Sequence, residues 1–218
     1  MKRNRIWVIA TVFITMIPMI AGALLWKKLP ETVPVHFDIS GKADSYAGKA
    51  FAVIVIPVFL AVMQLVVAGA CKLDSKLHGD RRIDDKLMHM IFLIIPAVSL
   101  FSCAAIYAYA SGISMNINSL VQLMLGFIFT GTGLSMREIP QNYAAGIRLP
   151  WTIRDEENWK MTHAAGGKIF TAAGIIIFLN GLLNFFGKGG PVIISIITIA
   201  AAAAACIIYS FMLFLKEK

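Results

Sequence analysis

Residues 191–215 read PVIISIITIAAAAAACIIYSFMLFL, an unbroken run without Asp, Glu, Lys or Arg. A helix needs about 20 mostly apolar residues to cross the hydrocarbon of a bilayer, so this run is long enough to span it. Five more runs share its character: Gly167–Phe186, Asn118–Met136, Leu87–Ala110, Ala50–Ala70 and Ile6–Trp26. None holds a charged residue in its middle. Membrane β-strands are far shorter, about 10 residues, and alternate apolar with polar, which argues against a barrel. The expected fold class is therefore all-α: a polytopic membrane protein with six transmembrane helices. Residues 1–218 are read as one six-helix integral-membrane domain. The alanine run Ala200–Ala205 within the last helix is expected to give a smooth surface for close helix packing.

Composition agrees. Of 218 residues, 58% are hydrophobic and only 15% charged, and the mean hydropathy is +0.76. A soluble domain carries about 25% charged residues, and a soluble fold of this size could not hide so much apolar surface. Disorder requires low hydrophobicity and is excluded as well. The first run follows a basic start, Lys2, Arg3 and Arg5, and contains Ala21-x-Ala23. It continues past that pattern through Leu24, Leu25 and Trp26, longer than a signal-peptide core, so it is read as a retained helix.

The net charge is +8, from 20 Lys and Arg against 12 Asp and Glu. In a membrane chain, cations collect on cytoplasmic loops, and this accounts for the charge without nucleic acid; no direct nucleic-acid binding is expected. Fifteen of the cations fall in the N-terminus, the second loop (including Arg81 and Arg82), the fourth loop and the tail (Lys216, Lys218); five, Lys27, Lys28, Lys42, Lys49 and Lys188, fall on the other side. Both termini and the loop 137–168 are thus expected in the cytoplasm, and the loop 27–49 outside. The three cysteines, Cys71, Cys103 and Cys206, show neither a CxxC nor a Cys/His spacing, so no disulfide framework or zinc site is expected.

Polar residues inside the spans are few: Gln64, Gln122, Asn180 and Asn184. They suit hydrogen bonds between helices, worth about 0.6 kcal/mol each on average, better than a substrate path. Coupled transporters usually carry intramembrane ionisable groups, and these spans have none deeper than their ends. His89, near the start of the third span, reads as a packing residue. No GxSxG, HExxH, P-loop or paired-carboxylate motif is present, so no catalytic residue and no cofactor is expected. His36, Asp38 and Asp44 could in principle ligate a metal, but the set lacks a fourth ligand. Turn chemistry explains Asp38-Ile-Ser40-Gly41 and Asp44-Ser45 more simply, and no metal is expected.

Two loops carry more detail than a tether needs. In the outer one, Pro30 and Pro34 keep Leu29 and Val33 out of helix, and Val33–Phe37 reads as a short extended segment. In the inner one, Gly146 permits a tight turn and Pro150 fixes the chain before Trp151. Thr152 and Asp155 loosely fit capping-box spacing, and Asp155, Glu156 and Glu157 suit a helix N-terminus. Trp159, Thr162, His163 and Gly166 then share one helical face. The pattern predicts a short amphipathic cytoplasmic helix before the fifth span that runs into it, with Trp151 and Trp159 anchored at headgroup level. The loop reads either as a membrane-anchored elbow or as a docking surface for a cytoplasmic partner.

The string Asn142-Tyr143-x-x-Gly146-Ile147-Arg148-x-Pro150-Trp151-Thr152, followed by Trp159-x-x-Thr162-His163-x-x-Gly166-Gly167-Lys168, closely resembles the signature of the SdpI family. Outside, Pro34-x-His36-Phe37-Asp38-x-x-Gly41-Lys42-x-Asp44-x-Tyr46 is similar to the small domain of unknown function often found ahead of that signature. The resemblance implies a bacterial plasma-membrane immunity protein that protects a cell from a secreted toxic peptide. It also implies a receptor that holds a cytoplasmic helix-turn-helix repressor at the membrane. On this reading Arg148 fastens the loop or contacts lipid phosphate or a partner, and membrane lipid is itself a partner. A small-solute or peptide exporter is the alternative. A membrane enzyme using Arg148, Asp155, Glu156 and His163 is a third reading, but no nucleophile stands out.

Overall fold

The computed structural model describes residues 2–77, 85–113, 115–137, 139–143 and 145–216; Arg81, Arg82 and Lys218, used above to orient the chain, lie outside them. The elements in order are helix α1 (Lys2–Leu25), strands β1 (Thr32–Phe37) and β2 (Ala43–Gly48), and a π-helical turn (Phe51–Val55) leading into α2 (Ile56–Leu77). Then come α3 (Asp85–Ala110), α4 (Ile117–Met136), the five-residue α5 (Pro150–Arg154), α6 (Glu156–Phe185) and α7 (Ile193–Lys216). Six of these helices are long and apolar enough to cross a membrane. Their outward faces carry large apolar side chains, among them Phe13, Phe59, Phe127, Ile197 and Ile208, as suits helices set in a bilayer. The chain is a multi-pass membrane protein.

The structure refines the expected architecture in three places. The loop 27–49 is not wholly irregular: it folds into an antiparallel hairpin with Val33 opposite Ala47 and Pro34 opposite Tyr46. The amphipathic helix expected ahead of the fifth span is present and runs into that span without a break. Residues 156–166 are the first turns of α6, which is 30 residues long, about 45 Å at about 1.5 Å per residue. That exceeds the roughly 30 Å hydrocarbon, so the helix stands about three turns proud of it. Finally, Ala200–Ala205 is mostly exposed, with only Ala202 fully buried.

The close packing lies elsewhere, between α4 and α6, which make the most extensive helix contact in the molecule. Gly126 and Gly133 on α4 face Gly167, Gly174 and Gly181 on α6, each series recurring every seven residues. A Cβ on Gly174 would lie 2.3 Å from the Thr130 amide nitrogen, and one on Gly133 would lie 2.3 Å from that of Thr171. Backbone meets backbone along the seam. Dispersion between closely apposed helices replaces the hydrophobic effect, which lipid does not supply.

Buried polar side chains stitch helices together as expected. Gln64 on α2 donates to Thr11 Oγ1 on α1 at 2.8 Å and to the Phe92 carbonyl on α3 at 3.0 Å. Ser99 Oγ donates to the Thr15 carbonyl at 2.8 Å, and the Tyr107 hydroxyl to that of Pro18 at 3.1 Å. In the second half, Asn180 Nδ2 donates to Gln122 Oε1, which also accepts from Ser195 Oγ at 3.3 Å. This joins α4, α6 and α7. Replacing Gln64 by Ala is expected to lower thermal stability in detergent by about 1 kcal/mol. An unchanged melting curve would show that these bonds carry no net stability. His89 stacks on Trp7, ring centroids 4.4 Å apart, in keeping with a packing role.

Candidate functional site

The two distinctive segments sit at opposite ends of the bundle. The hairpin packs against the ends of α1 and α3: Leu29, Val33, Val53 and Tyr107 form one buried cluster, and Phe37 meets Tyr109 edge-on with centroids 5.3 Å apart. Pro34 is buried, whereas β2 is largely exposed, Tyr46 included. Asp38 Oδ1 accepts from the Ser40 hydroxyl at 2.7 Å and from the amides of Lys42 and Ser40 at 2.8 and 2.9 Å. The Ser40 hydroxyl, and then the Lys42 amide, hold this carboxyl below its usual range. Gly41 completes the turn with φ +80°. His36 Nδ1 and Asp44 Oδ1 pair across the hairpin at 2.6 Å on its exposed surface, where such pairs contribute little stability. Among the described residues no group of three or more metal-ligating side chains forms. The hairpin tip touches the second half of the molecule through Asn118 Nδ2, which donates to the Ile39 carbonyl at 3.3 Å.

At the other end, α6 projects beyond the seam, and residues 139–143 and 145–154 fold over it. Asp155 caps α6 by accepting from the Glu157 and Asn158 amides at 2.8 and 3.0 Å. Thr152 has a different job from the one its spacing suggested. It lies inside α5, where its hydroxyl accepts from the Leu149 amide at 2.9 Å and donates to the Ile147 carbonyl at 2.8 Å. Asn142 turns the chain: its Oδ1 accepts from the Ala145 amide at 2.8 Å and its Nδ2 donates to the Pro140 carbonyl at 2.8 Å.

The expected face of α6 is real but points inward. Trp159, Thr162, His163 and Gly166 are all buried. Trp159 is therefore a core residue rather than a headgroup anchor: it is 1% exposed, donates Nε1–H to the Ile139 carbonyl at 2.9 Å and stacks on His163 with centroids 4.0 Å apart. An indole whose N–H is satisfied inside the protein gains nothing from the interface.

His163 is held at both nitrogens. Nδ1 lies 2.8 Å from the Trp159 carbonyl, which can only accept, and Nε2 lies 2.9 Å from the Ile147 amide, which can only donate. The partners thus specify one neutral tautomer, with the proton on Nδ1. Gly146, at φ +121°, makes the approach feasible: a Cβ there would lie 2.4 Å from His163 Nε2 and 3.2 Å from the Trp159 ring. Ile147 reaches Gly166, where a Cβ would meet its Cδ1 at 3.0 Å. This latch, the contact of Gly146 and Ile147 with His163, rests on a cluster that includes Cys71, Met88, Met136 and Ile139, so it binds the second half of the chain to the C-terminal end of α2 and the N-terminal end of α3.

Trp151 does not stand free at the interface either. Its Nε1–H donates to Ser210 Oγ at 2.8 Å, and its ring packs against Phe211 and Phe214. Ser210 Oγ and Thr162 Oγ1 both donate to Asn158 Oδ1 at 3.1 Å, and Asn158 Nδ2 returns to the Ser210 carbonyl at 3.1 Å. This network links α5, α6 and α7. Three of the residues it and the loop depend on were absent from the expected set: Asn158, Ser210 and Gln141, whose Nε2 caps α5 by donating to the Thr152 and Ile153 carbonyls at 3.0 and 2.9 Å. Asn158 could have been found as the residue one turn before Thr162; Ser210 and Gln141 carry no sequence signal. Tyr143, Arg148 and Pro150 remain on the surface, with Arg148 Nη1 donating to the Tyr143 carbonyl.

Residues 138–210 match the family described as the SdpI/YfhL protein family, and residues 13–61 match DUF1648, a domain of unknown function. The resemblance read from the sequence thus holds for both segments. Across its whole length the chain is similar to the immunity protein SdpI of Bacillus subtilis (strain 168), at 24% identity over 221 residues, covering 99% of this chain and 98% of that one. No solved structure matches it.

Proposed function

We propose that this chain is an integral-membrane immunity protein that protects its cell from a secreted toxic peptide. The observation that carries this reading is the end-to-end similarity to an immunity protein, spanning both the hairpin and the latch segments. In this reading both termini and the latch region face the cytoplasm, and the hairpin faces outward, where β2 and Tyr46 meet the peptide. The latch region binds rather than catalyses. His163, the residue there best suited to proton transfer, has both nitrogens engaged, and Asp155 is committed to its helix cap.

A receptor role accompanies protection. The hairpin tip bonds to α4 through Asn118, α4 is closely packed on α6, and the far end of α6 carries the latch. Two packed helices therefore join the outer loop to the inner surface, a physical route for coupling. The exposed side chains Tyr143, Arg148, Arg154 and Lys160 supply the inner docking face for a helix-turn-helix repressor. Export is the second reading. The buried amides of Gln64, Gln122 and Asn180 bond across helices, which suits packing better than a conduction path.

Expression in a toxin-sensitive bacterium, followed by challenge with secreted peptide toxins, tests the central reading: survival is expected. Arg148→Ala is expected to insert normally and lose protection, and full protection by that variant at normal levels would remove Arg148 from the site. Directional peptide movement in sealed vesicles would instead favour export. Orientation is read with a membrane-impermeant thiol reagent on intact cells. Ser45→Cys is expected to label and Glu157→Cys to stay protected; the reverse pattern would invert the topology.

A further inference from the structure

We propose that the cleft between α4 and α6 binds an anionic phospholipid, its phosphate held by Arg137 and Lys168 and part of one acyl chain lying in the groove beside them. The groove has a volume of about 250 Å³ and is lined by Leu134, Arg137, Gly167, Lys168, Thr171 and Ile175 among others. It is smaller than the roughly 300–1,000 Å³ of a site that engulfs a small molecule, and it lies open along the side of the bundle. Its walls are apolar apart from the two cations. Thr171 spends its hydroxyl on the Gly167 carbonyl at 2.7 Å.

The level of the cations in the membrane follows from helix length. α4 has 20 residues, about 30 Å of helix, which matches the hydrocarbon thickness, and Arg137 stands directly at its end. Lys168 is at the same level: its neighbour Gly167 lies against Arg137, whose Cγ would be 2.6 Å from a Cβ on that glycine. The missing side chain of Gly167 is what lets the arginine stem cross α6. Both cations are exposed, and among the described residues neither makes an ion pair.

Two unpaired cations at the hydrocarbon boundary, beside an open apolar groove, complement a lipid phosphate joined to its acyl chain. Basic pockets between transmembrane helices bind lipid headgroups on this principle. A zwitterionic headgroup would bring a third cation to the pair, so an anionic lipid is the better fit.

The test uses the full chain in nanodiscs of phosphatidylethanolamine with phosphatidylglycerol, and native mass spectrometry of the retained lipid. Phosphatidylglycerol is expected to be retained over phosphatidylethanolamine by roughly tenfold or more. Arg137→Gln combined with Lys168→Gln is expected to abolish that preference. Ile175→Trp, which fills the groove from its lipid-facing wall and leaves the charges in place, is expected to weaken retention. It keeps the test decisive should the double variant fail to fold. Equal retention of the two lipids, or unchanged retention in either variant, would overturn the proposal. So would displacement of the lipid by soluble glycerol phosphate at equal concentration, since the chain would then contribute nothing.

Discussion

Gly146→Ala should leave the protein in the membrane yet unseat the latch and abolish protection. Two independent costs meet at this position. The backbone lies at φ +121°, a region that side chains with a Cβ occupy only at a cost of about 1–3 kcal/mol. The new methyl would also stand 2.4 Å from His163 Nε2, where the Ile147 amide now donates. The loop must retreat, and the hydrogen bond it loses is worth about 1 kcal/mol. A total near 3 kcal/mol is expected, read as a lowered melting temperature in detergent alongside loss of protection in cells. His163→Ala removes the atom that is struck. The double variant is therefore expected to be less damaged than the sum of the two single variants, because the clash and the bond are shared. Strict additivity would mean that Gly146 and His163 do not act as a unit, and wild-type behaviour of Gly146→Ala would remove the latch altogether.

The largest effect on assembly is expected at Gly174→Leu. Its Cβ would fall 2.3 Å from the Thr130 nitrogen and 2.9 Å from the Gly126 carbonyl oxygen. A flexible side chain could swing away, but backbone cannot, so α4 and α6 must separate. Overpacking a close-fitting site costs about 1–3 kcal/mol and sometimes more, and a backbone-to-backbone contact belongs at the upper end. Gly174→Ala is expected to be harmful already, with Leu worse. Ala204→Leu on the exposed face of α7 is expected to be neutral and serves as the control. The measurement is thermal unfolding in detergent, supported by loss of a cysteine crosslink placed between α4 and α6. Stability of Gly174→Leu within about 0.5 kcal/mol of the parent would show that the seam does not hold the helices. If the seam also transmits a signal from hairpin to latch, Gly174→Ala should impair protection more than its loss of stability accounts for.

Much of the molecule was legible from local chemistry. Apolar runs located all six spans, because the bilayer demands a continuous apolar stretch from any helix that crosses it. Five of the six were placed to within about three residues. The fifth began about eleven residues early, because apolar content marks where a helix enters lipid and says nothing about how far it continues beyond. The turn at Asp38–Gly41 was legible for a similar reason: an Asx turn is made by neighbours in sequence. The heptad glycines were present in the sequence too, but their spacing gains meaning only when the two series belong to helices known to touch.

The sequence by itself determined the class of protein, the number of spans, the residues of both distinctive segments and the shared face of Trp159, Thr162, His163 and Gly166. These are properties of a single helix or turn, set by solvent and by residues a few positions apart. Only the tertiary structure decided that this face looks inward, that Trp159 is core rather than anchor, and that Gly146 exists to admit His163. It also brought Ser210 to Asn158 across 52 positions. Which way a helix face turns depends on what other helices offer it. In lipid, where apolar residues are content on either side, no rule of composition reveals that choice.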